Sequence, residues 1–335
     1  MKNILITGAG GPAAVALIKA LQGPDRRLHA VDMDPNAVGL YMVPQERRAL
    51  VPGGRDRLFI ARLQQLCLQW NIDVLIPTVD VELLQVAKTR QSFMKFGTRV
   101  MLTSQRSLEL CLDKWALAKH CAGVVRLPQT QLLDERFDPV AVSYPLIVKP
   151  RQGSGSRGVV LCHRPEDMER FTRDGSLLVQ EFLPGQEYSV DVCISRNGEP
   201  IAAVPRARLK VDSGVAVAGR TVQDPELQRE AVRAAMHVGL TGVVNVQLRR
   251  DTEGRPALLE INPRFPGTMS LTIASGVDMP NLALMDLFGG HTHSGGLMPF
   301  KAICMVRHWA EIYMAPEHFQ VPERTFYQDT NRRLH

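Results

Sequence analysis

Ala257-Leu258-Leu259-Glu260-Ile261-Asn262-Pro263-Arg264-Phe265 is the stretch that decides how this chain is read. Its three apolar residues suggest a buried strand, and they run directly into a carboxylate, an amide and a guanidinium. Such groups are costly to bury unless each meets an opposite charge or a metal. Glu260 and Asn262 are two apart, so a strand presents them on one face. Oxygen ligands on one face suit a hard cation such as magnesium, which is usually shared with substrate phosphates. Arg264, in phase with both, adds a planar fork for phosphate or carboxylate oxygens. The stretch predicts a phosphate site whose other members lie elsewhere in the chain.

Working outward, Val243-Val-Asn245-Val-Gln247-Leu248 reads as a strand pairing with Ala257–Ile261 across the turn Asp251-Thr-Glu-Gly254. The pairing brings Gln247 close to Glu260, and a buried amide beside a buried carboxylate suits a shared metal or phosphate site. Pro225 to Val238 reads as a helix, and Ile201 to Lys210 as a strand with Arg206, Arg208 and Lys210 alternating onto one face. On a central strand three like charges need an anionic partner; on an edge strand they are merely solvated. Leu177 to Val192 has the pattern of two strands with a crossing connection. Tyr144-Pro-Leu-Ile-Val-Lys149-Pro150 is a strand with a lysine at its end, followed by the loop Gln152-Gly153-Ser154-Gly155-Ser156-Arg157-Gly158 and a strand from Val159. Such a loop is either a flexible hairpin or a flap whose backbone N–H groups form a nest for phosphate. It lacks the Walker lysine-serine ending and precedes a strand, so it is not a P-loop. Upstream, Asp113-Lys114 opens a helix.

The first hundred residues have a different texture. Asn3–Thr7 is a strand, Gly8-Ala-Gly10-Gly11-Pro12 a tight turn, Ala13–Leu21 a helix and His29–Asp34 a second strand. Gly8, Gly10, Ala13 and Asp32 approximate a dinucleotide fingerprint. The same turn also serves any ligand that approaches a helix N-terminus. Leu58–Trp70 is an amphipathic helix, Val74–Thr78 a strand and Arg99–Thr103 another. Asp80 and Glu82 follow the carboxyl end of the third strand, where open α/β sheets bind ligands. They are candidates for substrate contact, or else acids favoured in a first helical turn.

The 335 residues, 45% hydrophobic and 22% charged, describe a soluble globular chain of two or three domains. The net charge of +6 is spread over scattered basic pairs such as Arg26-Arg27, Arg249-Arg250 and Arg332-Arg333, which excludes a nucleic-acid stripe. Cysteines 67, 111, 121, 162, 193 and 304 form no CxxC and no metal spacing, as in a reduced cytoplasmic protein. His291-x-His293 reads as a loop feature. Glycines and Pro12 interrupt the N-terminal apolar stretch, so it is no signal peptide, and no run approaches a membrane span.

In order along the chain, Asp113-Lys114, Val148-Lys149-Pro150, the loop Gly153–Gly158, Gln180-Glu181-Phe182-Leu183, Glu187, Gln247 and Glu260-Ile-Asn262-Pro-Arg264 resemble an ATP-grasp enzyme. The nearest flavour is that of the carbamoyl-phosphate synthase large subunit and biotin carboxylase, over residues 1 to 290. The resemblance implies a multidomain α/β and α+β chain. A doubly wound pre-ATP-grasp domain would span 1–110, a mobile lid subdomain 111–185, a catalytic subdomain 186–290, and a C-terminal strand with a polar tail 291–335.

By the same resemblance, ATP and magnesium (manganese as an alternative) are the cofactors. Lys114 and Lys149 would contact the α- and β-phosphates, and Gly153, Ser154, Gly155, Ser156 and Gly158 would close over the β- and γ-phosphates. Glu181, Phe182 and Leu183 would border the adenine, and Glu187 would meet the ribose. Gln247, Glu260 and Asn262 would hold metal, while Arg264 and Lys210 would serve the transferred phosphate. The implied activity is carboxylate–amine ligation, in which a small carboxylate is activated as an acyl phosphate, ADP is released and an amine attacks. Gly10, Gly11, Asp80, Glu82, Arg206 and Arg220 are the substrate candidates, cations suiting a carboxylate and acids an amine. Partners would be small molecules, with no nucleic acid and no membrane, and a homodimer is compatible. The chain shows one module with no glutaminase segment and no biotin-carrier domain, so stand-alone carbamoyl phosphate synthesis is not expected. Two other readings are a nicotinamide oxidoreductase using Gly8, Gly10, Ala13 and Asp32, and a nucleotide-binding regulator without turnover. The first leaves the second half unexplained; intact Gln247, Glu260, Asn262 and Arg264 argue against the second.

Overall fold

The computed structural model describes residues 1–153, 155, 157–212, 214–290 and 295–319. They form two compact units, Met1–Leu102 with the segment from His308, and Thr103–Arg307.

In the first unit the chain runs β1 (Lys2–Ile6), α1 (Pro12–Ala20), β2 (Arg26–Asp32), β3 (Arg48–Leu50), α2 (Phe59–Gln69), β4 (Val74–Ile76), α3 (Asp80–Lys88), α4 (Arg90–Lys95) and β5 (Arg99–Val100). The strands form a parallel sheet in the order β3-β2-β1-β4-β5. Strands buried on both faces read as continuous apolar runs, which is why Ile4-Leu5-Ile6 and Val74-Leu75-Ile76 do not alternate. Leu5, Val31 and Leu75 pack against Phe59 and Leu63 of α2 and Phe93 of α4. The turn after β1 requires glycine at position 8. Its φ is +60°, and a Cβ there would lie 2.8 Å from Thr78 Oγ1 and closer still to the Val79 side chain. Phe319 stacks on Tyr41 with ring centroids 4.9 Å apart, and Arg48 donates to the His318 carbonyl at 2.5 Å.

His29 on β2 is 5% exposed, 4.9 Å from the Trp70 ring, with neither ring nitrogen bonded to another protein group. Burial first, then the fields of Arg47 and Arg27, lower its pKa to about 4. The unfolded chain binds the proton near pH 6.5 and the folded chain does not. Stability is therefore whole above pH 6.5 and falls as pH drops toward 4, by about 3 kcal/mol. Urea midpoints between pH 7 and 4 should show this slope, and His29→Phe should flatten it. Equal slopes in both proteins would remove His29 as the cause.

The second unit runs α5 (Gln105–Cys111), α6 (Lys114–Cys121), β6 (Thr130–Leu132), β7 (Leu146–Pro150), β8 (Val160–Cys162), β9 (Leu177–Glu181), β10 (Glu187–Ile194), β11 (Pro200–Asp212), β12 (Val215–Thr221), α7 (Pro225–His237), β13 (Gly242–Arg250), β14 (Pro256–Asn262), α8 (Met269–Ala274), α9 (Met279–Leu287) and β15 (Cys304–Val306). Two antiparallel sheets result, a large one ordered β14-β13-β10-β11-β12-β15 and a small one ordered β6-β9-β7-β8. Helix α7 starts where Asp224 accepts from the Glu226 and Leu227 amides, with Pro225 in the first turn. Its buried Leu227, Ala231, Ala234 and Ala235 cover Val190, Val192, Val246, Leu248 and Ile261 on one face of the large sheet. The period of two then turns the intervening polar residues to the opposite face. Leu146, Val148, Cys162 and Val179 form the core of the small sheet.

The expected fold class is present, a doubly wound sheet followed by an α+β unit. The strand anticipated over Lys301–Tyr313 is only Cys304–Val306; beyond it, Trp309 and Tyr313 are exposed. Among the described residues no helix is long and apolar enough to cross a membrane.

Candidate active site

Registers across the large sheet assemble a polar face from three rows. Glu187 lies opposite Arg249; Ser189 opposite Gln247, which faces Glu260; Asp191 opposite Asn245, which faces Asn262. A bulge between Gln247 and Leu248 inserts Leu259 beside Glu260, so both residues face the same cleft. The small sheet supplies the other wall with Ile147, Lys149, Gln180, Glu181, Phe182 and Leu183. Lys114 of α6 and Gly153 and Arg157 of the glycine loop complete the lining.

Charge in the cleft is balanced internally. Asp113 caps α6 through the Trp115 and Ala116 amides and pairs with Arg151, which fixes the start of the helix that carries Lys114. Lys114 Nζ lies 3.5 Å from Glu260 Oε2 and donates to the Gly153 carbonyl at 2.6 Å. Lys149 is 7% exposed and donates to Gln180 Oε1 at 2.8 Å. Burial pushes its pKa down to about 8; Glu260 opposes the shift and Lys114 adds to it. An incoming anion would relieve that desolvation. Glu187 pairs with Arg208 and lies 3.9 Å from Arg249, whose guanidinium sits over the Phe182 ring. Glu181 exchanges hydrogen bonds with the Gln129 backbone.

The three residues expected to hold a metal, Glu260, Asn262 and Gln247, are one carboxylate and two amides. Asn262 Nδ2 is 3.4 Å from Glu260 Oε1, and Gln247 lies opposite Glu260. Among the described residues no cluster of three or more His, Cys, Asp or Glu side chains could hold a metal alone. This fits a hard cation completed by ligand oxygens better than a cage made by protein alone.

Several expected contacts fall elsewhere. Arg206 is 2% exposed and forms a two-pronged pair with Asp191, at 3.0 and 2.6 Å, so its charge is spent inside the sheet rather than offered to a substrate. Glu82 is 3% exposed and accepts from Thr7 Oγ1, Thr78 N and Val79 N. It closes the first turn of α3, and burial raises its pKa to about 7. Asp80 heads the same helix. Lys210 and Arg220 are exposed on β11 and β12, and neither lines the cleft. The alternation of Arg206, Arg208 and Lys210 is broken by a register shift between Arg208 and Lys210. Arg264, just past β14, is half-buried and donates to the Phe265 carbonyl at 3.4 Å. Gly10 and Gly11 form the turn of the first unit, where Asp32 accepts from the Gly10 and Asp34 amides. That leaves Asp32 committed to its own turn, which counts against a dinucleotide ribose there. Ser154, Ser156 and His291-x-His293 lie outside the described residues.

Arg249, Arg157 and Arg307 were not singled out in the sequence. Arg249 could have been found, since it is two residues beyond Gln247 and hence on the same strand face. Arg307 carries no such signal. It is half-buried, donates to the Gly267 carbonyl, and has its pKa lowered by burial and by Arg206.

Two antiparallel sheets clasping a cleft of lysines, amides and one acid give the second unit an ATP-grasp fold, and a parallel-sheet unit precedes it in the sequence. Residues 173–311 match the family described as "ATP-grasp in the biosynthetic pathway with Ter operon", and residues 4–101 match the "PylC-like, N-terminal domain". Biotin carboxylase from Campylobacter jejuni, solved as a β-γ-ATP complex, has a similar fold. Its TM-score is 0.71 at 16% identity, over 88% of this chain and 72% of that one. Carnosine synthase 1 of Homo sapiens is 26% identical over 308 residues, 79% of this chain and 37% of that protein. The D-alanine–D-alanine ligase of Thermotoga petrophila is 29% identical over 128 residues, 36% of this chain. The match spans 42% of the length of that ligase.

Proposed function

We propose that this chain is an ATP-dependent carboxylate–amine ligase. The observation that carries the reading is the convergence of Lys114, Lys149, Gln247 and Glu260 on one cleft. Phosphoryl transfer asks a protein mainly for positioning and charge neutralisation, and this set supplies both. Relatives named as D-alanine–D-alanine ligase and carnosine synthase support an amide-forming class.

In this reading Lys114 and Lys149 hold the α- and β-phosphates, the Glu181–Leu183 segment borders the adenine and Glu187 meets the ribose. Glu260, Asn262 and Gln247 would hold magnesium, which when bound neutralises the phosphate oxygens. Arg264 orients the transferred phosphate. Arg307 joins it as a second guanidinium, since an anion nearby would ease its burial and its repulsion from Arg206. A carboxylate oxygen of the substrate attacks the γ-phosphorus, the bond to the β-phosphate oxygen breaks and ADP leaves. The amine then adds to the acyl carbon, loses a proton and expels phosphate. The glycine loop has a chemical purpose here, because an acyl phosphate is lost to water unless it is shielded.

The test is ADP release with ATP, magnesium and a panel of amino acids and small carboxylic acids. At least one acid–amine pair should raise ADP release at least tenfold over ATP alone, and EDTA should return it to background. Uniform background across the panel, with ATP binding intact, would favour a regulator that binds nucleotide without turnover.

A further inference from the structure

Gln180 meets polar groups at both ends of its amide, and both ends dictate the same orientation. It lies directly opposite Thr130 across the β6–β9 pair and diagonally from Lys149 of β7, on the cleft face of the small sheet. Gln180 is 6% exposed, so water is a poor substitute for a lost partner. The Thr130 hydroxyl donates to the Pro128 carbonyl at 2.9 Å, which uses its only hydrogen. It must therefore accept at its second contact, 2.9 Å from Gln180 Nε2. At the other end Lys149 Nζ carries hydrogens and no lone pair, so it faces the amide oxygen, at 2.8 Å. The amide oxygen is turned toward Lys149 and the cleft, and the nitrogen away from it. That oxygen accepts two hydrogen bonds, and Lys149 takes one. The two ends differ in one respect. Lys149 lines the cleft, where phosphate oxygens would compete for its hydrogens, whereas Thr130 stands outside the lining and keeps its hold on the amide.

We infer that Thr130 is a positioning residue that sets which base the cleft accepts. Through Gln180 it keeps an oxygen toward the ligand, which favours a base with an exocyclic amine over one with a carbonyl at the same place. The inference rests on the nucleotide reading of the cleft, in which the base lies against the Glu181–Leu183 segment next to Gln180. An amine there donates to Gln180 Oε1. A carbonyl brings two acceptors together, desolvated and with no hydrogen between them. Without the Thr130 hydroxyl the amide is free to turn over and offer its nitrogen to that carbonyl.

Adenosine and inosine diphosphates present these two groups, amine and carbonyl, and their affinities for the full chain with magnesium should be measured by calorimetry. The wild type should bind the adenosine form about thirtyfold more tightly, the order expected for one unmatched buried polar group. Thr130→Val should bring that ratio below about fivefold. Valine suits a strand as well as threonine does, so the sheet is kept. A merely structural loss would weaken both nucleotides alike and leave the ratio where it was. Thr130→Ser keeps the hydroxyl and should hold the ratio within about twofold of wild type. Thr130→Val combined with Gln180→Glu should regain at least about tenfold selectivity, because a carboxylate presents oxygen whichever way it turns. An unchanged ratio in Thr130→Val, a wild type that binds both nucleotides equally, or no recovery in the double variant overturns the inference and leaves the nucleotide reading standing. A folded wild type that binds neither nucleotide overturns that reading, and the inference with it.

Discussion

Glu260→Gln should lower ATP-dependent ADP release by about a thousandfold, ~4 kcal/mol at the barrier, with any acid–amine pair that the wild type uses. The substitution keeps the size and shape of the side chain and removes one negative charge. That charge now faces Lys114 at 3.5 Å, on side chains 11% and 21% exposed. Both side chains are largely buried, so losing the pair costs more than a surface pair would, and a thermal melt has to separate lost stability from lost chemistry. In the proposed reaction Glu260 carries the only full negative charge among the three residues assigned to metal, and an amide oxygen in its place binds a hard cation less tightly. Steady-state ADP release beside a thermal melt settles the matter. Turnover within threefold of wild type at an unchanged melting temperature would remove Glu260 from the chemistry.

The second large effect concerns stability. Asp191 is fully buried and accepts from Arg206 Nε and Nη2, from Asn245 Nδ2 at 2.8 Å and from Thr272 Oγ1 at 2.5 Å. Asp191→Ala leaves the Arg206 guanidinium buried without a counter-charge, and with Arg307 near enough to repel it. Removing one partner of such a pair costs about 3–5 kcal/mol. The melting temperature of the second unit should fall by roughly 10 °C. The double variant Asp191→Leu with Arg206→Met should recover much of the loss, since no lone charge remains. A drop under about 2 °C for the single variant would show that water reaches Arg206 in the folded protein.

Much of the fold was legible because periodicity and turn chemistry agree. The β13–β14 hairpin follows from two alternating apolar runs around Asp251–Gly254, and its register sets Gln247 opposite Glu260. Asp113 and Asp224 announce helices as side-chain caps. The arginines of β11 were less legible. A charge on a strand reads as exposed or as ligand-binding unless its partner is known, and Asp191 lies 15 residues away on the neighbouring strand. Glu82 misled for a related reason: a carboxylate at a strand's carboxyl end can serve a ligand or its own helix, and only the Thr7 hydroxyl and two amides show which. For Arg307, which follows a strand only three residues long, no pattern is long enough to register.

The place of β14 at one edge of the large sheet has a consequence in time. Its partner β13 is its only neighbour in that sheet among the described residues, and both emerge late in synthesis, after Lys114, Lys149 and Glu187. A nascent chain that stops short of Glu260 can build the small sheet and the β10–β11–β12 meander, yet it holds two cleft lysines and not that acid. Compaction and acquisition of the site are therefore separate events, and the second waits on one hairpin. A truncated product would keep many of its antiparallel strands and lack the acid on which the proposed chemistry depends.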